Sequence, residues 1–306
     1  MAQATRILPF NEEAIAEAAR LILQGQPVAV ATETVYGLAA DATNAEAVAR
    51  IYEAKGRPSF NPLIVHVPDL AEAERIGDFS NEARRLAREH WPGPLTLVAP
   101  LSPDAGIASL VTAGLSTIAL RVPAHPAMQA LLRSTGRPLA APSANASGSI
   151  SPTRAEHVLK SLGGRIPLIV DAGPAQRGIE STIIAATGKT LRILRRGPIE
   201  IAGAVEEVGK AIEAPGQLAS HYAPSKPLRL DVSDAGEGEF LIGFGSVTGD
   251  VNLSPSGDLV EAAARLFDLL HVADASERPR LAVAPIPNQG LGTAINDRLR
   301  RASAPR

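Results

Sequence analysis

Short apolar segments alternate with helical segments along most of this chain, and this alternation is the strongest constraint on its fold. Apolar segments typical of buried strands occur at 27–31, 62–67, 95–98, 117–122, 138–141, 166–170, 181–185 and 190–194. Helical periodicity occurs between them, at 11–24, 44–55, 80–90 and 126–134. Strands of this length, interleaved with helices, indicate a layered sheet covered by helices, parallel or mixed.

Capping residues mark the predicted ends of some helices. The second helix is expected to run from about Asn44 to Lys55, with Gly56 as its natural C-terminal cap. Thr153 and Glu156 have the spacing of a capping box and predict the start of a later helix.

The segment 212–227 loses this periodicity and is rich in Pro, Gly, Ser and Ala, which indicates a linker. A chain of 306 residues suggests one large or two ordinary domains. We predict an α/β domain at 1–211, an interdomain linker at 212–227 and a small α/β domain at 228–306. In the last, strands are expected at 228–232, 239–244 and 281–284, and helices at 258–270 and 293–301.

The composition excludes several classes of protein. A net charge of −2 with 3% aromatic residues argues against tight direct binding of RNA or DNA. The absence of cysteine excludes disulfides, thiolate metal sites and a cysteine nucleophile. The sequence has no signal-peptide pattern and no apolar run of about 18 residues, so we expect a cytoplasmic protein without a membrane span.

Standard nucleotide and metal signatures are absent. Gly188-Lys-Thr190 resembles the end of a P-loop, but Ile183 stands where that loop needs glycine. The segment 243–249 lacks the third glycine of a dinucleotide fingerprint, and no serine occupies a Gly-x-Ser-x-Gly elbow. The histidines show no metal-ligand spacing, so no metal site is predicted.

The turn after the second helix concentrates polar groups. Lys55 and Arg57 could complement the helix dipole, or they could bind phosphate as a point charge and a bidentate fork. Asn61 could be a turn residue before Pro62. His66 lies on a strand that is expected to be buried, where a core histidine is the simpler interpretation.

Polar residues at other strand ends leave similar alternatives open. Arg121 on an apolar strand requires an anion, either in an internal ion pair or in a bound carboxylate or phosphate. The small and hydroxyl residues at 141–149 suit an anion cradle or a plain solvent loop. Ser181 begins a strand and Arg195 ends one, and neither is unusual by itself.

Taken together, these segments resemble the YrdC-domain family, in its long two-domain form of L-threonylcarbamoyladenylate synthases. Motifs similar to the family's occur at 32–38, 55–58, 61–66, 91–96, 141–148, 178–182 and 194–195. The segments 215–224 and 295–299 match the long form only. The resemblance implies a large twisted mixed sheet with flanking helices, joined by the linker to a small Rossmann-like domain.

The resemblance also implies an activity. The family makes threonylcarbamoyl-AMP and pyrophosphate from ATP, L-threonine and bicarbonate, with Mg²⁺ accompanying ATP. This is the first step of tRNA threonylcarbamoyladenosine modification, and a separate tRNA threonylcarbamoyl-transferase uses the product.

The family's functional residues are carried over by motif. Lys55 and Arg57 are the expected catalytic residues. The residues expected to bind ATP are Lys55, Arg57, Asn61, Thr117, Ser143, Asn145, Ser151, Arg195 and Tyr222. The residues expected to bind threonine are Thr34, His66, Arg121, Ala141 and Ser181. Tyr222 lies in the linker, which is expected to gate access to the nucleotide.

Two other functions remain open from the sequence. An RNA-binding module could use the same fold, although the charge and aromatic content argue against it. A carbamoyl-phosphate-dependent carbamoyltransferase of the hydrogenase-maturation kind also has a YrdC-like domain, but that kind normally carries zinc-finger cysteines.

Overall fold

The computed structural model describes residues 4–206 and 212–305, which form two sheets with surrounding helices. The predicted domain limits at residues 1, 211 and 306 lie outside the described residues. The elements of the larger sheet and its helices are β1 (Arg6–Pro9), α1 (Glu12–Leu23), β2 (Val28–Val30), β3 (Gly37–Asp41), α2 (Ala45–Lys55), β4 (Ile64–His66), α3 (Leu70–Ile76), α4 (Asn81–His90), β5 (Leu95–Pro100), α5 (Ser109–Thr112), β6 (Thr117–Arg121), α6 (Pro126–Thr135), β7 (Leu139–Ala140), α7 (Ala155–Leu162), β8 (Leu168–Asp171), β9 (Thr182–Ala185), β10 (Arg192–Arg195) and β11 (Val205–Glu206). Those of the smaller sheet are β12 (Leu228–Arg229), β13 (Glu239–Gly243), β14 (Val251–Asn252), α8 (Leu259–Ala275), β15 (Arg280–Val283) and α9 (Leu291–Ser303).

The larger sheet is mixed, as predicted. Its strand order is β1-β8-β2-β3-β7-β4-β6-β5-β9-β10-β11. The neighbours β4 and β6 are parallel, as are β5 and β9, whereas β7 runs antiparallel to both β3 and β4. The smaller sheet has the order β12-β15-β13-β14 with parallel pairs, as suits a Rossmann-like unit. Strands β3, β11 and β14 and helices α3 and α5 were not predicted.

Local capping explains where α2 begins and ends. The Asn44 side chain accepts hydrogen bonds from the backbone N–H groups of Glu46 and Ala47, and Gly56 closes the helix in the left-handed conformation. These contacts confirm the predicted limits of α2. They also fix the direction in which Lys55, the last helical residue, leaves the helix.

The capping box predicted for α7 is wrong. The helix begins at Ala155, so Arg154 occupies the N-cap position, and it makes no capping hydrogen bond through its side chain. The Thr153 hydroxyl instead lies 3.4 Å from Nδ1 of His157, one turn into the helix.

The two sheets share part of one apolar core. Val35, Ile150, Ile179 and the linker residue Tyr222 pack in the same cluster as the buried face of α8. Residues 212–227 contain no helix or strand, and Ala223 forms an isolated bridge with Ser149. No helix in the described part of the chain is long and apolar enough to cross a membrane. The division into domains at the stated limits stays a prediction.

Candidate active site

One cavity of about 50 Å³ lies where the carboxyl ends of β4 and β6 meet the linker. His66 and Arg121 end these neighbouring parallel strands and are direct partners in the register. Nine of the fourteen predicted site residues line the cavity: Thr34, Arg57, His66, Arg121, Ala141, Ser143, Ser181, Arg195 and Tyr222. The fold therefore brings together residues that are dispersed over almost 190 positions of the sequence.

The Lys55 side chain bonds to the loop behind the cavity rather than to carbonyl groups at the end of its own helix. It is 3% exposed, and its Nζ donates to the carbonyl oxygens of Ser143 at 2.6 Å and Asn145 at 2.5 Å. Burial, and then the neighbouring charge of Arg57, hold the pKa of Lys55 well below its ordinary value. Its ammonium thus connects α2 with the 141–149 segment, in which no residue is fully exposed, so that it is not a plain solvent loop.

Arg57 and Arg195 approach the cavity from two further elements. Arg57 donates to the carbonyl oxygens of Asn61 at 3.1 Å and Pro62 at 2.9 Å, and burial is the main reason that its pKa falls to about 10. Arg195, at the end of β10, donates from Nη2 to the Ser181 hydroxyl at 3.0 Å. Burial also lowers the pKa of Arg195. Both guanidinium groups are held mainly by neutral oxygens.

Arg121 forms the internal ion pair that the sequence left open. Its Nη2 donates to Oε1 of Glu33 at 2.6 Å, its Nη1 to the Thr34 hydroxyl at 2.9 Å and its Nε to the Gly93 carbonyl at 3.2 Å. Burial acts to raise the pKa of Glu33, but the charge and hydrogen bond of Arg121 outweigh it and the pKa is lowered. The guanidinium is therefore rigidly oriented at the cavity, and its binding of a substrate carboxylate stays a prediction.

His66 is a buried neutral imidazole. It is 2% exposed, and burial, followed by the charge of Arg121, lowers its pKa to about 3. Its Nδ1 has no hydrogen-bond partner among the described residues. His66 can therefore exchange a hydrogen bond with a ligand at neutral pH, but it cannot supply a positive charge.

Two buried amides also keep unused hydrogen-bonding atoms. Neither Oδ1 nor Nδ2 of Asn61 has a partner in the described part of the chain, and Oδ1 of Asn145 has none either. Because buried polar atoms are nearly always paired, these atoms mark a place where a polar ligand is expected.

Five predicted residues do not line the cavity: Lys55, Asn61, Thr117, Asn145 and Ser151. Four of them lie next to residues that do. Lys55 donates to the carbonyl oxygens of Ser143 and Asn145, which belong to the same loop, and the Asn61 carbonyl accepts from Arg57. The Ser151 hydroxyl donates to Glu180, which lines the cavity.

Thr117 is the exception, because it begins β6 whereas Arg121 ends it. At about 3.3 Å per residue, the two lie about 13 Å apart along the strand. A nucleotide contact of Thr117 stays a prediction.

The linker covers the cavity through Tyr222. Tyr222 is buried and has a left-handed backbone with φ of 63°, which is unusual for a residue with a side chain. The next residue, Ala223, donates from its N–H to the Gly148 carbonyl at 2.8 Å. The preceding residue, His221, lies against the Tyr222 ring, with the two ring centroids 4.1 Å apart. These contacts keep the linker closed over the cavity.

Sequence reasoning missed three buried charged residues: Glu33, Glu180 and Arg298. Glu33 forms the ion pair with Arg121, and Arg298 donates to Glu180 at 2.9 Å. All three stand in motif segments that resemble the family, and that placement was a usable signal. Their pairing was not visible, because Glu180 and Arg298 are separated by 118 positions.

The charges around the cavity do not balance. Glu33 pairs with Arg121 and Glu180 with Arg298. The three other buried cations make no ion pair with a carboxylate in residues 4–206 and 212–305; they are Lys55, Arg57 and Arg195. Since burying an uncompensated charge is unfavourable, the site is suited to a ligand with several negative charges.

Comparison with known proteins agrees with this arrangement. A family model described as "Telomere recombination" matches residues 20–197, and one described as "Threonylcarbamoyl-AMP synthase, C-terminal domain" matches residues 192–304. The threonylcarbamoyl-AMP synthase of Bacillus subtilis (strain 168) is 39% identical, over 98% of this chain and 95% of that protein. The synthase of Pyrococcus abyssi (strain GE5 / Orsay) is also 39% identical, over 96% and 95%.

A solved structure is similar over the same length. The crystal structure of P. abyssi Sua5 complexed with L-threonine superposes with a TM-score of 0.90 and 36% identity, and it covers 98% of both chains. The similarity thus includes both sheets and the linker, and the predicted family resemblance is confirmed. The chain belongs to the threonylcarbamoyl-AMP synthase family.

Proposed function

We propose that this protein makes threonylcarbamoyl-AMP and pyrophosphate from ATP, L-threonine and bicarbonate, the first step of tRNA threonylcarbamoyladenosine modification. The observation that carries this proposal is a group of three buried cations without carboxylate partners: Arg57 and Arg195 line the cavity, and Lys55 donates to the carbonyl oxygen of Ser143, which lines it too. Such cations are suited to the negative charges of a triphosphate. The same activity is printed in the names of relatives that cover almost the whole chain.

The chemistry is that of a nucleotidyltransferase. The amine of threonine and bicarbonate give a carbamate with loss of water, and a carbamate oxygen attacks the α-phosphorus of ATP while pyrophosphate leaves. The protein must hold three anions close together, so its contribution is positioning and electrostatic stabilisation rather than a covalent intermediate.

Mg²⁺ enters as part of the Mg·ATP substrate in this proposal. The described residues contain no group of three or more His, Cys, Asp or Glu that could hold a metal ion. A magnesium ion bound through substrate phosphates needs few protein ligands, so the ion can be delivered together with ATP.

The proposed roles divide the cavity between two substrates. Lys55 and Arg57 stabilise charge on the phosphates, together with the other predicted ATP ligands: Asn61, Thr117, Ser143, Asn145, Ser151, Arg195 and Tyr222. Threonine would lie against Thr34, His66, Arg121, Ala141 and Ser181. The paired ends of β4 and β6 support the proposed threonine site, because they present the fixed guanidinium of Arg121 beside the neutral imidazole of His66.

A separate tRNA threonylcarbamoyl-transferase would receive the product. The net charge of −2 gives little attraction for the tRNA backbone, so this protein need not hold tRNA itself. We place the reaction in the cytoplasm, where ATP and tRNA are both available.

Mass spectrometry of the products formed from ATP, threonine and bicarbonate tests the proposal. Threonylcarbamoyl-AMP should appear, and omission of threonine should abolish it. Pyrophosphate release that continues unchanged without threonine would overturn the proposal. Tight, salt-sensitive RNA binding by a protein without ATP turnover would favour an RNA-binding module instead.

A further inference from the structure

Arg298 is fully buried beside the active site although it belongs to α9, the last helix of the chain. Its Nε donates to Oε2 of Glu180 at 2.9 Å, and its Nη1 donates to Asp297 at 2.9 Å. The carbon of its guanidinium lies 5.3 Å from the centroid of the Tyr222 ring. A side chain from the C-terminal helix therefore contacts two residues that line the cavity, Glu180 and Tyr222.

Glu180 creates an electrostatic problem for the proposed function. Its carboxylate lies in the wall of a cavity that is proposed to accept phosphates, which it would repel. Burial acts to raise its pKa, but Arg298 and then Arg195 outweigh burial, so the pKa is lowered and the group stays charged. The Ser151 hydroxyl also donates to it, at 2.5 Å.

Arg298 supplies the counter-ion. Among the described residues it makes the ion-pair contact with Glu180, and Arg195 affects that carboxylate only at longer range. An arginine suits this position, because it stays charged when buried and its planar group can also contact an aromatic face. The contact with Tyr222 extends the same side chain to the linker.

We propose that Arg298 is a positioning residue of the active site, which neutralises Glu180 and holds its carboxylate so that the cavity can accept the phosphates of ATP, and which contacts the Tyr222 ring while the linker is closed. This inference rests on the proposed function. Through Arg298, the C-terminal helix α9 adjusts the charge and shape of the ATP site without contacting substrate.

Four variants test this role: Arg298→Met, Arg298→Lys, the double variant Arg298→Met with Glu180→Gln, and the control Arg300→Met on the exposed face of the same helix. We expect Arg298→Met to raise the KM for ATP at least about tenfold, because it leaves a buried carboxylate unpaired beside the phosphates. The KM for threonine should change much less. Arg298→Lys should retain more ATP affinity than Arg298→Met, and Arg300→Met should behave as the wild type.

The double variant separates charge neutralisation from simple loss of packing. Glu180→Gln removes the unpaired charge, so the double variant should recover most of the ATP affinity that Arg298→Met loses, and it should fold even where the single variant does not. Equal KM values for ATP in the double variant and in Arg298→Met would overturn the inference. So would an Arg298→Met variant with a wild-type KM for ATP.

The wild-type protein in the same assay keeps the two proposals distinct. Normal threonine-dependent synthesis by the wild type, combined with unaffected Arg298 variants, would overturn this inference alone. Absence of threonine-dependent synthesis in the wild type would overturn the proposed function and this inference with it.

Discussion

In the proposed mechanism, Lys55 is placed for chemistry at a cost to the free protein. Its ammonium is buried and held by two carbonyl oxygens, and its lowered pKa reflects that unfavourable position. A bound triphosphate would supply the missing negative charge. The residue is thus prepared for an anion before the anion arrives, which is the condition for electrostatic catalysis.

We predict that Lys55→Ala removes about 2.7 to 4 kcal/mol of transition-state stabilisation, the range for loss of one preorganised donor. Threonine-dependent release of pyrophosphate should fall by about a hundredfold to a thousandfold. Lys189→Ala is a matched control, because Lys189 is exposed in the turn between β9 and β10. Wild-type turnover by Lys55→Ala would remove this residue from the mechanism.

At the scale of elements, the junction between the larger sheet and α8 relies on close backbone contact. Gly178 has φ of 69°, and a side-chain carbon placed there would lie 2.3 Å from the Ala264 carbonyl oxygen and 2.5 Å from that of Ala263. Only glycine allows this approach. The contact fixes the segment that leads into Glu180 against the C-terminal part of the chain.

We therefore expect Gly178→Ala to lower the free energy of unfolding by about 1 to 3 kcal/mol, as is usual for an overpacked contact. Urea denaturation of the two proteins measures this difference. Gly188→Ala provides the control, because its added carbon would meet nothing within 4 Å. If both variants unfold at the same urea concentration, the close contact with α8 is not important for stability.

A second contact between elements is sensitive to pH. His157 of α7 and His271 of α8 stack with ring centroids 3.8 Å apart. Burial is the main reason that the pKa of His157 falls to about 4 and that of His271 to about 3. The neighbouring charges are mixed: Arg154 and Lys160 lower these pKa values, and Asp268 and Asp274 raise them.

The sign of the pH effect follows from these directions. The unfolded chain protonates histidine near pH 6.5, above the folded values, so between them the unfolded state binds more protons. The free energy of unfolding should therefore fall as the pH is lowered from about 7.5 to about 5. Replacement of both rings, His157→Phe with His271→Phe, should make this fall shallower. An unchanged slope in urea denaturation would show that other groups cause it.

At the scale of the whole molecule, the closed linker and the size of the proposed substrate are incompatible. The cavity holds about 50 Å³, whereas sites for ligands of this kind are about 300 to 1,000 Å³. Under the proposed function, we therefore expect the segment that carries His221 and Tyr222 to move before ATP enters. The contacts that it would release are the bridge between Ser149 and Ala223 and the hydrogen bond from the His221 N–H to the Arg301 carbonyl.

A disulfide across that bridge should lock the closed form. Residues paired in this way are about 4.8 Å apart, within the range of about 4.4 to 6.8 Å that a disulfide spans. Because the chain has no cysteine of its own, Ser149→Cys with Ala223→Cys introduces a single defined pair. We expect the oxidised variant to lose ATP binding, measured by calorimetry, and to regain it on reduction.

The single variant Ser149→Cys, treated with the same oxidant, controls for the effect of oxidation itself. Full ATP binding by the oxidised double variant would show that the linker need not open at this bridge.

Local features of the sequence determined the elements and the family. Alternating apolar segments predicted a mixed sheet with helices, because a strand or a helix depends mainly on neighbours within a few residues. Asn44 and Gly56 fixed the ends of α2 for the same reason. The ordered motifs were sufficient to predict the family, and they indicated half of the residues that line the cavity.

Only the tertiary structure decided how the charges pair. The interleaved strand order, with β7 between β3 and β4, brings distant segments together in a way that no local pattern records. It turns Lys55 toward carbonyl oxygens about 90 positions away, gives Arg121 the partner Glu33, and brings Arg298 of the last helix onto Glu180. The sequence therefore determined the family and half of the residues that line the cavity, and the packing of the two sheets decided which charges remain available for a substrate.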